Sequence, residues 1–172
     1  EREPITVLCS RMGWIRAMKG HVDLTAEQKY KDGDGPRFAF HAETTDRILL
    51  VAENGRFFTL LGANLPGGRG MGEPVRLMVD LPNDTGITEI LLHRPGAKYL
   101  VASTAGDGFI VPADELLAQT KAGKQVLTTR DGVKSAVCRP VAGDHVAVVG
   151  DNRKLLVFPL ADLPEMAKGK GV

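Results

Sequence analysis

The side chains of this 172-residue chain best suited to chemistry are basic ones standing beside glycine. Three stretches carry the pattern: Gly67-Gly68-Arg69-Gly70, Lys121-Ala122-Gly123-Lys124 and Lys168-Gly169-Lys170-Gly171. Such stretches are equipped to bind anions, because the cation supplies charge and glycine lets backbone N–H groups come close to a phosphate. The same residues have a plainer use, since loop cations are often only solvated and glycines make turns. Covalent chemistry is poorly provided for. His21, His41, His93 and His145 are scattered, with no short ligand spacing and no nucleophile motif beside them. His41-Ala42-Glu43 has the His-x-Glu of zinc deaminases, but no Pro-Cys-x-x-Cys follows it. Gly123-Lys124 is followed by Gln125 and has no glycine five residues before Gly123, so the P-loop pattern fails. Asp32-Gly33-Asp34-Gly35 lacks the later ligands of a calcium loop and reads as a polar turn before Pro36.

Composition sets the frame for those residues. The chain is 43% hydrophobic and 25% charged, enough apolar material for the core of one soluble domain. With 22 Lys+Arg against 21 Asp+Glu, attraction to a polyanion has to come from clustering of charge rather than from excess. Cys9 and Cys138 lie far apart without a Cys-x-x-Cys, which argues against a disulfide framework and a zinc site and fits a reducing cytoplasm. No apolar run reaches the roughly 18 to 20 residues of a membrane span, and the first residues lack the apolar core of a signal peptide.

The elements that would position the basic stretches are short β runs. Glycine and proline are spread along the whole length, with β-rich runs between them, the texture of an all-β domain. The one strong helical pattern, 113–120, reads as a helical turn of about two turns inside a loop, and 163–168 holds the same place after its own strands. Hairpins repeat: 5–18, 48–60, 99–111 and 145–158 are each an apolar strand, a polar turn and a second apolar strand. Their turns fall at Gly13, Gly55, Gly106 and Arg153, spaced by 42, 51 and 47 residues, about the length of a propeller blade. Matching Arg69, Lys121 and Lys168 gives spacings of 52 and 47 for the glycine-basic loops. Further β runs are expected at 75–79 with 88–93 and at 125–128 with 135–138, so that each unit is four-stranded. The units are 3–46, 47–97, 98–143 and an incomplete 144–172. Trp14, Phe57, Phe58, Phe109 and Phe158 fall on the hairpin strands and are expected in the core.

Glu3-Pro4-Ile5-Thr6-Val7 through Met12-Gly13-Trp14-Ile15-Arg16, followed by Lys19-Gly20-His21, resembles the start of a known domain. The likeness continues in Tyr30-Lys31-Asp32-Gly33-Asp34, in Leu65-Pro66 with Arg69-Gly70 and Gly72-Glu73-Pro74, in Gly108-Phe109 with Asp114 and Leu116, in Ala122-Gly123-Lys124, and in Asp162-Leu163-Pro164 with the final Lys168-Gly169-Lys170-Gly171. In order and spacing the whole chain is similar to the C-terminal domains of the ParC-type A subunits of bacterial DNA topoisomerase IV. The neighbouring gyrase family carries a Gln-Arg-Arg-Gly-Gly-Lys-Gly box in its first blade. Around residues 24–35 this sequence has Lys29 and Lys31 without that core, which favours topoisomerase IV, a gyrase A domain lacking a full box being the alternative.

The resemblance implies an all-β β-pinwheel, here a truncated array of about four propeller-like blades, whose rim binds and bends double-stranded DNA. It implies a non-catalytic domain with no cofactor of its own, ATP and magnesium being used by other domains of the parent type IIA topoisomerase. The implied partners are duplex DNA and the rest of the topoisomerase IV holoenzyme, both its A and its B polypeptides, with no membrane, in the bacterial cytoplasm at the nucleoid. Expected phosphate contacts are Arg16 and Lys19 in the first unit, Arg56 and Arg69 in the second, Lys121 and Lys124 in the third, and Arg153, Lys154, Lys168 and Lys170 in the fourth. A protein-interaction propeller with solvated basic loops is the reading from another class.

Overall fold

The computed structural model describes residues 2–82, 84–104, 107–128, 134–140, 145–149, 155–159, 165–166 and 168–169. Within them the chain is almost wholly β, with strands β1 (Pro4–Ser10), β2 (Trp14–Lys19), β3 (Pro36–Glu43), β4 (Arg47–Ala52), β5 (Arg56–Leu61), β6 (Glu73–Pro74), β7 (Ile87–Leu92), β8 (Lys98–Ser103), β9 (Gly108–Pro112), β10 (Lys124–Gln125), β11 (Ser135–Pro140), β12 (His145–Val149) and β13 (Leu155–Pro159). Four antiparallel sheets result, in the orders β3-β1-β2-β6, β10-β5-β4-β7, β11-β8-β9 and β12-β13. They correspond to the four expected hairpins and are called blades 1 to 4 below.

The apolar runs are continuous because a blade is covered on both faces. Alternate residues of β4 show it: Ile48, Leu50 and Ala52 join a core with Ile5, Val7, Ile15 and Phe58, whereas Leu49 and Val51 join another with Phe57, Tyr99, Val101, Phe109 and Leu116. A period of two thus serves the spaces between blades 1 and 2 and between blades 2 and 3. Each fully buried side chain of this kind contributes about 1.5–3 kcal/mol. Phe57, Phe58 and Phe109 are fully buried, as expected of hairpin aromatics. Trp14 is only half-buried, and Lys31 Nζ stands 3.8 Å from its ring centroid. The side chain of Phe158 lies outside the described residues.

The first two sheets take their fourth strand from the following unit. β6, from the second unit, pairs with β2 through Trp14 opposite Pro74 and Ile15 opposite Glu73. β10, from the third unit, pairs with β5 through Lys124 opposite Phe57 and Gln125 opposite Arg56. The second and third units therefore reach back to finish their predecessors' sheets. The expected strand at 75–79 is a 3-10 turn, Val75–Leu77, directly after β6. Val75 and Val79 are buried and Leu77 is 70% exposed, so the apolar period there is helical rather than alternating. The helical pattern at 113–120 closes after one short 3-10 turn, Ala113–Leu116. Of 163–168, the described Glu165 bridges Ile110 in parallel and the rest lies largely outside the described residues.

Gly13 and Gly55 turn their hairpins with φ of 85° and 82°, a region that costs glycine no steric penalty. The expected turns at Gly106 and Arg153 lie outside the described residues.

Candidate nucleic-acid interface

The glycine-basic loops are the segments that deliver β6 and β10, so their geometry is fixed by strand exchange. Gly72 and Gly123, with φ of 85° and 74°, hold equivalent places just before those strands. A Cβ would lie 2.2 Å from the Ile15 carbonyl oxygen at Gly72 and 2.7 Å from that of Phe57 at Gly123. These two glycines therefore admit the chain's own backbone rather than a phosphate. The pairings also correct the loop alignment by one residue: Gly72 matches Gly123, a spacing of 51, which sets Gly70 rather than Arg69 against Lys121.

Two of the expected phosphate contacts clamp the invading loops. Arg16 is buried, its Nη1 donating to the Gly70 carbonyl at 2.5 Å and its Nη2 to that of Lys29 at 2.8 Å, with its guanidinium 5.5 Å from the centroid of Tyr30. Arg56 is half-buried, its Nε donating to the Ala122 carbonyl at 2.8 Å and its Nη1 to Gln125 Oε1 at 3.2 Å. A planar fork with five donors suits this task, since one side chain satisfies carbonyls of a loop that has no ladder partner. Lys124 is committed as well: its Nζ donates to the Glu115 carbonyl at 2.6 Å and pairs with the Glu115 carboxylate at 3.2 Å.

The remaining described candidates are exposed. Lys19 ends β2, and Arg69 follows the Gly67-Gly68 pair. They come from successive units and line one groove with Glu3, Met18, Thr44 and Gly68. A parallel bridge between Ala17 and Gly67 fixes their approach, the Ala17 N–H donating to the Pro66 carbonyl at 2.8 Å. At Gly68 a Cβ would stand 2.7 Å from Met18 Cγ, so the loop backbone lies directly on β2. Lys121 is exposed at the tip of the next loop, where its carbonyl accepts from the Asp80 N–H at 2.8 Å. Lys168 is exposed beside Gly169, whose N–H donates to the Val126 carbonyl at 2.8 Å. None of these four cations forms an ion pair among the described residues. Arg153, Lys154 and Lys170 lie outside the described residues.

Among the described residues no group of three or more His, Cys, Asp or Glu could hold a metal ion. The stacked His21 and His41 rings, 4.6 Å apart, turn their Nε2 atoms to the carbonyls of Ala42 and Val22. Cys9 and Cys138 are buried and not joined in a disulfide, and burial pushes the Cys9 thiol up to about 12.

No family model matches the chain. It is 50% identical, over 99% of its length, to the DNA topoisomerase 4 A polypeptide of Rickettsia bellii, of which it spans 23%. Among solved structures it superposes on the Escherichia coli ParC C-terminal domain with a TM-score of 0.87 and 31% identity, covering 98% of this chain and 70% of that one. A DNA gyrase A C-terminal domain shares the fold at a TM-score of 0.69 and 16% identity, over 99% of this chain and 59% of that one.

Proposed function

Because this chain belongs to the family of C-terminal β-pinwheel domains of ParC, the A polypeptide of DNA topoisomerase IV, we propose that it is a non-catalytic domain that holds and bends double-stranded DNA through phosphate contacts. In this role it presents the transported duplex to the rest of the ParC polypeptide, which works with the B polypeptide of the holoenzyme on the bacterial chromosome, and ATP and magnesium act in other domains. The observation that carries the reading is the groove lined by Lys19 and Arg69, two exposed cations from successive units that form no ion pair among the described residues. Lys121 and Lys168 extend the set to later units. Arg16, Arg56 and Lys124 are left to structure, since Arg16 is buried against two loop carbonyls, Arg56 bridges Ala122 and Gln125 at the strand exchange, and Lys124 is paired with Glu115.

Contacts of this kind carry position and not base sequence. Several spaced ones offset the cost of bending a duplex of 20–30 base pairs by 40–90°, on the order of 1–6 kcal/mol. The test is anisotropy with two duplexes of unrelated sequence across a salt series. Equal affinities are expected, with log K falling against log salt at a slope of about −3.6 or steeper, as four neutralised phosphates require. A flat slope, or a preference for one duplex, refutes the reading.

A further inference from the structure

A second cationic feature lies at the opposite end of the blade 1 hairpin from the Lys19 and Arg69 groove. The turn after β1 brings Arg11 to a cleft between blades 1 and 2, where Arg37 of β3 and Arg76 of the Val75–Leu77 turn join it. Gly13, Pro74 and Ile87 complete the walls. The cleft has a volume of about 100 Å³, about three water volumes at roughly 30 Å³ each. That is room for a small oxyanion.

None of the three arginines forms an ion pair among the described residues. Arg37 Nη2 donates to the Ile87 carbonyl, and Arg76 donates to the carbonyls of Pro82 at 2.6 Å and Thr85 at 2.9 Å. Those bonds fix the two side chains and leave each guanidinium with further donors. Of the nearby carboxylates, Asp34 and Glu53, the first lies within electrostatic reach of Arg11, which against the opposing effect of burial helps to hold its carboxyl below the usual range, and both are hydrogen-bonded or paired elsewhere. Asp34 accepts from the N–H groups of Met12 at 3.0 Å and Gly35 at 2.8 Å, and Glu53 pairs with Lys134 at 2.7 Å.

The cleft between blades 2 and 3 lacks these features. By the strand registers, Arg11, Arg37 and Arg76 correspond there to Glu53, Thr88 and Leu127. Gln125 Nε2 donates across that cleft to the carbonyls of Asn54 at 2.9 Å and Leu127 at 2.7 Å, and Thr88 donates to the Ser135 carbonyl at 2.9 Å. The chain spans one cleft with neutral side chains and lines the other with three arginines.

We propose that the Arg11, Arg37 and Arg76 cleft is a binding site for a phosphate-type oxyanion, separate from the groove of Lys19 and Arg69. A multidentate arginine cluster is suited to tetrahedral oxyanions, whose oxygens accept the paired N–H donors of the guanidinium forks.

The experiment is a titration of the 172-residue chain with pyrophosphate at constant ionic strength, following backbone amide resonances. Saturable shifts are expected at Gly13, Arg76 and Ile87, and not at Gly67 and Gly68. Arg11→Gln is the first variant, because the Arg11 side chain makes no hydrogen bond that holds the fold among the described residues, and it weakens binding about tenfold. Arg37→Gln is the second and has a similar effect, while Lys19→Gln with Arg69→Gln leaves pyrophosphate affinity unchanged. The proposal is overturned by absence of saturation at the cleft, by unchanged affinity in both folded arginine variants, or by an equal loss in the groove variant. A duplex of about 20 base pairs then identifies the source. Displacement of pyrophosphate from the cleft amides marks a DNA backbone phosphate, and simultaneous binding marks a free phosphate compound; either result upholds the site.

Discussion

Blades 1 and 2 share one plan and differ at the edge where the next unit joins them. Both receive a two-residue strand through a positive-φ glycine, and both use an arginine to clamp the incoming loop. At blade 1 the clamp is buried, and the cations beside it, Lys19 and Arg69, stay exposed and without ion pairs. At blade 2 the clamp Arg56 is half-buried, Lys124 is paired with Glu115, and Lys121 is the exposed cation of the loop. A basic residue in these loops thus has one of two tasks, holding the strand exchange or facing solvent, and its hydrogen-bond partners decide which.

The largest expected difference between the blades is steric. Gly55→Ala places a Cβ 1.8 Å from the Leu127 carbonyl oxygen, whereas Gly13→Ala meets only ordinary contact, 3.5 Å from Ile87 Cδ1. Both carry the strain of positive φ, about 1–3 kcal/mol, and Gly55→Ala adds a backbone collision. Urea unfolding should show a clearly greater loss for Gly55→Ala, and equal losses would break the description of how tightly the third unit joins blade 2.

Removing the clamps comes next. Arg16→Gln leaves carbonyls of Gly70 and Lys29 without their donor inside the fold, at a cost of about 1–3 kcal/mol. Arg56→Gln is expected to cost less, because its surroundings are wetter and solvent replaces the lost donors. Thermal unfolding of the two variants ranks them, and the reverse order would show that burial does not separate the two edges.

A pH effect sharpens the account of the blade 1 core. The unfolded Cys9 thiol ionises near 9.0, and the folded one is raised to about 12 by burial. The folded state holds the proton longer, so this contribution to stability is intact below about pH 9 and is lost as pH rises toward 12. Cys9→Ala should flatten the fall in stability over that window, and a thiol reagent should leave Cys9 untouched in the native chain at neutral pH. Rapid labelling would contradict its burial.

Much of this architecture is legible in the sequence. The four hairpins stand where two continuous apolar runs flank a polar turn, because apolar runs and turn chemistry are local signals. Strand exchange is not legible in the same way. Glu73–Pro74 and Lys124–Gln125 are too short to carry a period, and their partners are fixed only when the blades assemble. The run at 75–79 misleads because Val75, Leu77 and Val79 alternate as a strand would, while burial follows Val75 and Val79 alone. Arg16 and Arg56 read like Lys19 and Arg69 for a related reason: a clamp and a phosphate contact are the same residue type, and the carbonyls that separate them come from 54 and 66 residues away. The cluster of Arg11, Arg37 and Arg76 leaves no sequence signal, since its members come from three separate elements.

The central claim is that exposed, unpaired cations hold DNA while the clamped ones hold the fold. The most direct measurement compares the salt dependence of duplex binding for the parent chain, for Lys19→Gln with Arg69→Gln, and for Arg56→Gln with Lys124→Gln. Losing two phosphate contacts should make the first variant's slope shallower by about 1.8, and the second variant should keep the parent slope even where it is less stable. A parent-like slope in the first variant, or the loss appearing in the second, would contradict the account.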